Sequence, residues 1–324
     1  VLIKERFLVT GASGFIGQKL CNELVSRGYF VKAALRDNSA FQALGCEVVR
    51  VPDISSDYDW TNVLQGVTTV IHLAARVHIM HESLTDPIKE FRRVNVASTE
   101  RLARLAAAKG VKRLVFVSSV KVNGEKTIDG RMFTEMDVPF PQDPYGVSKY
   151  EAERMLYQVS AETGLEIVIV RPPLVYGPGV KGNFEQLIKV LTIGTPLPLA
   201  CIKNQRSLIY VGNLIDALIL CATHPKAAGQ TYLVKDIEDV STQQLVKNTC
   251  KAFGRSSRLF PCPIFLLSFL GKLLGKLDAV NRLTESLMID SSKIHKELGW
   301  QVPYSMMQGL EITAAWFKQS RKLL

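Results

Sequence analysis

The chain has 324 residues, of which 47% are hydrophobic and 22% charged. That length and balance suit a large buried core and exclude a disordered polymer or a small disulfide-stapled module. The formal net charge of +10 admits nucleic acid or an anionic membrane as a partner. However, the basic residues are spread along the chain without interleaved aromatics, so no nucleic-acid surface is indicated.

The first element is an apolar strand at Phe7–Val9. Gly11, Gly14 and Gly17 follow at three-residue spacing, and a helix is expected over Ile16–Arg27. Such a turn brings main-chain N–H groups close to a pyrophosphate and aims a helix N-terminus at it. The spacing is GxxGxxG, whereas the commonest dinucleotide fingerprint is GxGxxG. Strands are expected at Phe30–Leu35, Glu47–Val51 and Thr69–Leu73, then a long helix over Pro87–Lys109 and a strand at Arg113–Val117. The densest basic stretch, from Arg92 to Arg113, reads as a solvated helix face. A helix at Tyr145–Thr163 and a strand at Glu166–Arg171 complete the alternation. Strands and helices alternating through short loops imply an α/β fold with a doubly wound parallel sheet.

After Pro172 the pattern loosens, with Gly177-Pro-Gly179, Pro196–Pro198 and Pro261–Pro263. Residues 1–172 are therefore read as the dinucleotide-binding and catalytic domain. Residues 173–324 are read as a smaller substrate-binding region, with segments returning to the main sheet. The run Ile264–Leu274 is strongly apolar but shorter than the roughly 20 residues a membrane span needs. Packing inside this region or at a dimer contact is expected; the other reading is an interfacial helix flanked by Lys272 and Lys276. The six cysteines are scattered and form no CxxC pair, so neither a metal site nor a disulfide framework is expected. With no leader pattern before the first strand, a cytoplasmic location is expected.

Tyr145 and Lys149 stand one helical turn apart on a shared face. A tyrosine, whose ordinary pKa is about 10, is a poor base at neutral pH. A neighbouring ammonium would lower it toward use as a proton donor or acceptor. A serine at the end of the strand before it, Ser119 with Ser118 as its rival, would hydrogen-bond a reacting oxygen.

These pieces occur in the order TGASGFIG at Thr10–Gly17, Asp53-Ile54, His72-Leu-Ala-Ala75, Asn95, Val117-Ser-Ser119, Tyr145-x-x-x-Lys149, Arg171-Pro-Pro-Leu-Val-Tyr-Gly177, Arg206-Ser-Leu-Ile-Tyr210 and Asp290-Ser-Ser-Lys. In this the chain resembles, nearly end to end, the extended short-chain dehydrogenase/reductases, and among them the NAD-dependent epimerases, dehydratases and 4-reductases of nucleotide sugars. The resemblance implies a Rossmann-type domain, a homodimer and a UDP-sugar substrate. It assigns catalysis to Ser119, Tyr145 and Lys149. It assigns cofactor contacts to Gly11, Ser13, Gly14, Phe15, Ile16, Gly17, Asp53, Ile54, Leu73, Ala74, Ala75, Asn95 and Pro172, as well as to Tyr145 and Lys149. Arg206 and Arg282 are the expected diphosphate ligands, and Asn183 a further substrate contact.

Two departures from the family pattern bear on the reaction. Lys121 and Asn123 replace residues of the usual Val-Tyr-Gly ending, so Lys121 faces either the substrate or solvent. An acid pair after the catalytic hydroxyl, which a dehydratase requires, is replaced by Val120 and Lys121. At the end of the second strand Leu35 takes the acidic position of NAD-specific relatives, and Arg36 follows, suited to a 2′-phosphate. NADP(H) is the preferred expectation, with NAD(H) kept open by Asp37. The expected reaction is reduction of a UDP-4-keto-hexosamine for surface polysaccharide. The alternatives are a 4-epimerase of UDP-glucose or UDP-N-acetylglucosamine and, in a different class, a non-catalytic redox-sensing protein.

Overall fold

The computed structural model describes residues 5–36, 41, 45–53, 58–77, 86–128 and 130–322. In chain order, β1 (Arg6–Thr10) leads into α1 (Phe15–Ser26), β2 (Phe30–Arg36), β3 (Glu47–Val51) and β4 (Thr69–His72). Next come α2 (Pro87–Arg92), α3 (Ser98–Ala108), β5 (Arg113–Val117), α4 (Pro144–Thr163), β6 (Glu166–Arg171) and β7 (Leu174–Tyr176). They are followed by α5 (Asn183–Ile193), β8 (Leu208–Tyr210), α6 (Val211–Thr223), β9 (Thr231–Leu233) and α7 (Thr242–Ala252). The chain ends with α8 (Ile264–Leu273), α9 (Leu277–Thr284), α10 (Ser292–Leu298) and α11 (Met306–Lys322).

The main sheet is parallel throughout, in the order β3-β2-β1-β4-β5-β6-β9. Its central strands carry buried apolar residues on both faces because both are covered. Alternate residues enter different cores. Phe7, Val9, Ala33, Leu35, Ile71, Val115 and Val168 pack beneath α1 and α6. Leu8, Ala34, Val70, Leu114, Phe116 and Ile167 pack beneath α3 and α4. β9, which follows Pro172 in sequence, hydrogen-bonds to β6. The first core also joins strand residues near the N-terminus to Leu310 and Phe317 on α11. β7 and β8 form a separate parallel pair.

The long helix expected at 87–109 is broken. Between α2 and α3, Arg93–Ala97 forms a π-helical turn. The Ser98 and Thr99 hydroxyls bond back to the carbonyls of Val94 and Asn95. The widened turn aims Asn95 at the loop after β4. Insertions of this kind recur at functional sites.

The glycine turn is built by close approach. Gly11 has φ +67°, and a Cβ there would stand 2.8 Å from the Ala74 nitrogen. At Gly17 a Cβ would stand 2.2 Å from the Gly11 oxygen and 2.7 Å from the Ala12 Cα. Both obstacles are backbone, so α1 can pack onto its own turn only without that carbon. Gly17→Ala should therefore destabilise the fold by about 1–3 kcal/mol, despite alanine's better helix propensity. Urea unfolding reads this directly, and an unchanged midpoint would show that the turn can spread without cost.

Candidate active site

All the parallel strands deliver their C-terminal ends to one edge. The strand order reverses between β1 and β4, which opens a crevice at that edge. The glycine turn follows β1, residues 73–77 follow β4, Ser118 and Ser119 follow β5, and Pro172 follows β6. Arg36 ends β2.

The turn suits an anionic group. Gly14 caps α1 without a side chain, and the first turn of α1 holds no acidic residue. The N–H groups and the positive end of a 12-residue helix thus meet no competing negative charge. Ser13, Phe15 and Ile16 are partly buried around it, as are Leu73, Ala74 and Ala75 across the crevice. These residues fit the pyrophosphate of a dinucleotide.

A buried chain of hydrogen bonds ties this turn to the catalytic helix. The Thr10 hydroxyl accepts from the Ala74 N–H at 3.3 Å and lies 2.6 Å from His72 Nδ1. His72 Nε2 lies 3.0 Å from Thr99 Oγ1, which donates to the Asn95 carbonyl at 2.8 Å. Asn95 Nδ2 donates to Ser148 Oγ at 3.0 Å, and Ser148 donates to the Tyr145 carbonyl at 2.8 Å. The Thr99 donation requires His72 to be protonated at Nε2 and to accept from Thr10 at Nδ1. A second proton would disrupt this order. Asn95 also clasps the backbone of Arg76, accepting its N–H at 2.8 Å and donating to its carbonyl at 3.0 Å. Its amide therefore shapes the loop beside the cofactor crevice, whereas the resemblance gave it to the cofactor itself.

Tyr145 is the second residue of α4. Asp143 caps this helix by accepting the Gly146 N–H at 2.6 Å. Lys149 is buried below it, donates to the Val117 carbonyl at 2.8 Å and lies 4.3 Å from the centre of the Phe116 ring. Burial lowers Lys149 from 10.5 to about 7, against the opposing pull of Glu153. Tyr145 moves opposite to the expectation. Burial, and then the Asp143 carboxylate, push its phenol above the ordinary value. In this setting the phenol holds its proton at neutral pH. That is the state required of a proton donor.

Ser119 is partly exposed and its Oγ accepts the Lys121 N–H at 3.2 Å, starting a short 3₁₀ turn. The Oγ of Ser118, its rival, is buried without a hydrogen-bond partner among the described residues. The Lys121 side chain is 33% exposed and is held by two carboxylates. Its ammonium lies 2.5 Å from Asp143 and 3.0 Å from Glu125. Burial opposes its charge, but those carboxylates outweigh it and hold Lys121 above its ordinary value. Lys121 therefore braces the cap of the catalytic helix. Asn123, the other departure, accepts from Arg171 at 3.1 Å and donates to the Thr134 carbonyl at 2.9 Å. Arg171 in turn forms a buried two-point pair with Glu153.

Arg206 donates from Nη1 to the carbonyls of Arg282 and Glu285 at 2.8 and 3.1 Å. Arg206 and Arg282 thus meet, with Arg282 exposed. Asn183 is exposed at the start of α5. The charge of Glu125 reaches Arg206, which links this end of the cleft to Lys121 and the α4 cap. Pro172 is buried, its carbonyl receiving the Val120 N–H at 3.0 Å. Asp53 is exposed after β3, close enough for its charge to act on Arg93. Ile54 and Asp37 lie outside the described residues.

Residues 7–234 match the family model of the NAD dependent epimerase/dehydratase family. The chain belongs to that family. It is similar to a Vibrio cholerae protein described as UDP-glucose 4-epimerase, with 41% identity over 98% of this chain and 96% of the relative. It is also similar to the N-acetyl-alpha-D-glucosaminyl-diphospho-ditrans,octacis-undecaprenol 4-epimerase of Escherichia coli O157:H7, with 27% identity over 96% and 95% of the two chains. Among solved structures it resembles MoeE5 in complex with UDP-glucose and NAD. The TM-score is 0.79 at 27% identity, over 98% of this chain and 99% of that one. The protein is thus a nucleotide-sugar enzyme of the NAD-dependent short-chain dehydrogenase/reductase type.

The His72 network gives a pH signature. Burial first, and then Lys149, lower His72 from 6.5 to about 3. Between those values the unfolded chain binds a proton that the folded chain does not. Stability is therefore lost as pH falls below the unfolded value, and the loss continues toward the folded one. From pH 7 to 5 this should amount to about 2 kcal/mol. Denaturant unfolding at the two pH values measures it. His72→Gln should flatten the difference, and an equally steep fall in that variant would assign it to other groups.

Proposed function

We propose that the protein reduces the C4 ketone of a UDP-4-keto-(6-deoxy)-hexosamine, drawing on NADPH, in the synthesis of a surface polysaccharide. The observation that carries this reading is the end of β2. Leu35 is 1% exposed and its side chain belongs to the core. Arg36 ends the strand exposed, with the exposed Arg50 donating to its carbonyl at 3.2 Å. Two guanidinium groups at that edge suit a 2′-phosphate better than the bare ribose of NAD. An exchangeable phosphorylated cofactor suits a reductase, which consumes a fresh hydride in each turnover. A 4-epimerase returns the hydride it took and retains its cofactor.

The nicotinamide, when bound, supplies the hydride to the sugar C4. Tyr145 gives its proton to the oxygen that becomes the alcohol. Its phenol, raised by burial and by Asp143, rests in the acid form that this step uses. Ser119 Oγ shares the same oxygen and helps to orient the carbonyl. Lys149, held near its titration point, supplies positive charge as the phenol proton leaves. Arg206 and Arg282 hold the diphosphate at the far end.

The second reading is a 4-epimerase acting on UDP-glucose or UDP-N-acetylglucosamine. The 41% identity to the Vibrio relative supports it. It would use the same residues, with Tyr145 first removing the hydroxyl proton. Mass spectrometry of the co-purifying nucleotide separates the two, since tightly held NAD favours the epimerase. A sensing role without turnover would be supported by cofactor binding with no reaction on any ketosugar.

Tyr145→Phe should reduce turnover about 10²–10⁴-fold while cofactor affinity stays nearly unchanged, because only the transferable proton is removed. Coenzyme absorbance and a fluorescence titration check both parts, and near-normal turnover would remove Tyr145 from the acid role.

Arg36→Ala should weaken NADPH binding by about 1–3 kcal/mol and leave NADH binding almost unchanged, since only NADPH carries the phosphate. Calorimetry with both cofactors decides. Equal losses, or a wild-type preference for NADH, would move the epimerase reading ahead.

A further inference from the structure

The apolar run at Ile264–Leu274 is not packed away as its composition led one to expect. Along α8 only Gly271 is buried, and it lies against Val280 of α9. Leu267 leans inward on the small core around Leu199 and Ile202. The outward faces carry Phe265 at 75% exposure and Phe269 at 64%, one helical turn apart, with Leu273 and Leu274 beyond them. A helix that is apolar all round is normally buried. Soluble surfaces rarely leave such a patch open unless something covers it.

We infer that the α8–α9 hairpin docks this enzyme on an anionic lipid bilayer, its phenylalanines and leucines entering the headgroup boundary and its basic rim meeting the lipid phosphates. The charge pattern selects this occupant. Residues 255–282 contain the cations Arg255, Arg258, Lys272, Lys276 and Arg282, and one acid, Asp278. The five cations are all exposed. An apolar face with a basic rim is complementary to an anionic membrane surface. It is poorly complementary to itself, because a twofold pairing of two hairpins would bring like charges together.

Length selects the mode of contact. The ten residues of α8 extend about 15 Å, half of the roughly 30 Å hydrocarbon layer. No helix among the described residues is long and apolar enough to cross a membrane. The hairpin therefore lies in the interface plane. Arg206 is bonded to the carbonyl of Arg282 on α9. Docking thus places the proposed diphosphate end of the cleft beside the membrane surface. The inference does not depend on which sugar is reduced or epimerised.

Sedimentation of the full chain with vesicles tests it. Vesicles of phosphatidylcholine alone are compared with vesicles containing about one third phosphatidylglycerol. The protein should sediment with the anionic vesicles, and added salt should release much of it. Phe265→Ser with Phe269→Ser should lower the partition about tenfold or more. Lys272→Glu with Lys276→Glu should lower it on anionic vesicles only. Circular dichroism and cofactor binding, at residues remote from the catalytic cleft, should match wild type in both variants and so exclude unfolding as the cause. Failure of the wild type to sediment with anionic vesicles would overturn the inference, as would equal binding to both vesicle types. A lipid-free dimer, seen by ultracentrifugation and dissolved by the phenylalanine changes, would assign the face to a second copy instead.

Discussion

The buried hydrogen-bond chain from Thr10 through His72, Thr99, Asn95 and Ser148 to the Tyr145 backbone is the constraint on which the rest of the cleft depends. It joins the end of β1, the end of β4, the π-helical turn and the first turn of α4. Each of these segments belongs to a different element, and each carries part of the candidate site. Because the links lie in low dielectric, an unpaired member would be costly. The network therefore holds the glycine turn and the tyrosine in one register. It also explains why the helix after α2 widens: a regular α-helical turn would not present the Asn95 side chain and the Thr99 hydroxyl to their separate partners together.

Charge is arranged around this neutral network in layers. Lys149 is buried beside His72 and disfavours its protonation. The Val117 carbonyl and the Phe116 ring favour the ammonium, as does Glu153, one turn along α4. Glu153 is itself held by Arg171, and Arg171 by Asn123. Removing one partner of such a buried pair leaves an uncompensated charge, which costs more than the pair is worth. The balance leaves Lys149 near its titration point at neutral pH and Tyr145 protonated. The cleft is thus prepared to release a proton from Tyr145 once positive charge builds nearby.

How much of this was legible in the sequence follows the separation of the partners. The turn from β1 to α1 was readable because its glycines, strand and helix are adjacent, and the parallel sheet because short apolar strands alternate with helices. Tyr145 and Lys149 were readable because four residues in a helix define a face. The broken helix at Arg93–Ala97 was not readable: its cause lies in partners of Asn95 nearly twenty and more than fifty residues away. Lys121 was read as a substrate or solvent residue because Asp143, 22 positions on, could not be placed beside it. The rise in the Tyr145 pKa was missed for the same reason, since burial is a property of the whole fold. The exposure of α8 is the sharpest case. Composition alone says that Phe265 and Phe269 prefer to leave water, but not what removes them from it.

The departures in the turn after β5 fall together in space, and this argues that they form one adaptation. Lys121 and Asn123 lie in the same short turn after β5. One braces Asp143 at the cap of the catalytic helix; the other completes the Arg171–Glu153 pair beneath it. A family pattern that places an acid at position 121 would put a second carboxylate near Asp143 in place of the cation that now pairs with it. Two carboxylates near each other raise the pKa of one of them, whereas a lysine avoids that repulsion. With a lysine there, Asp143 has a cation as its partner while it caps the helix that carries Tyr145. On the proposed reading the proton chemistry of the cleft rests with Tyr145, and the choice between reducing and epimerising passes to the cofactor edge at Arg36.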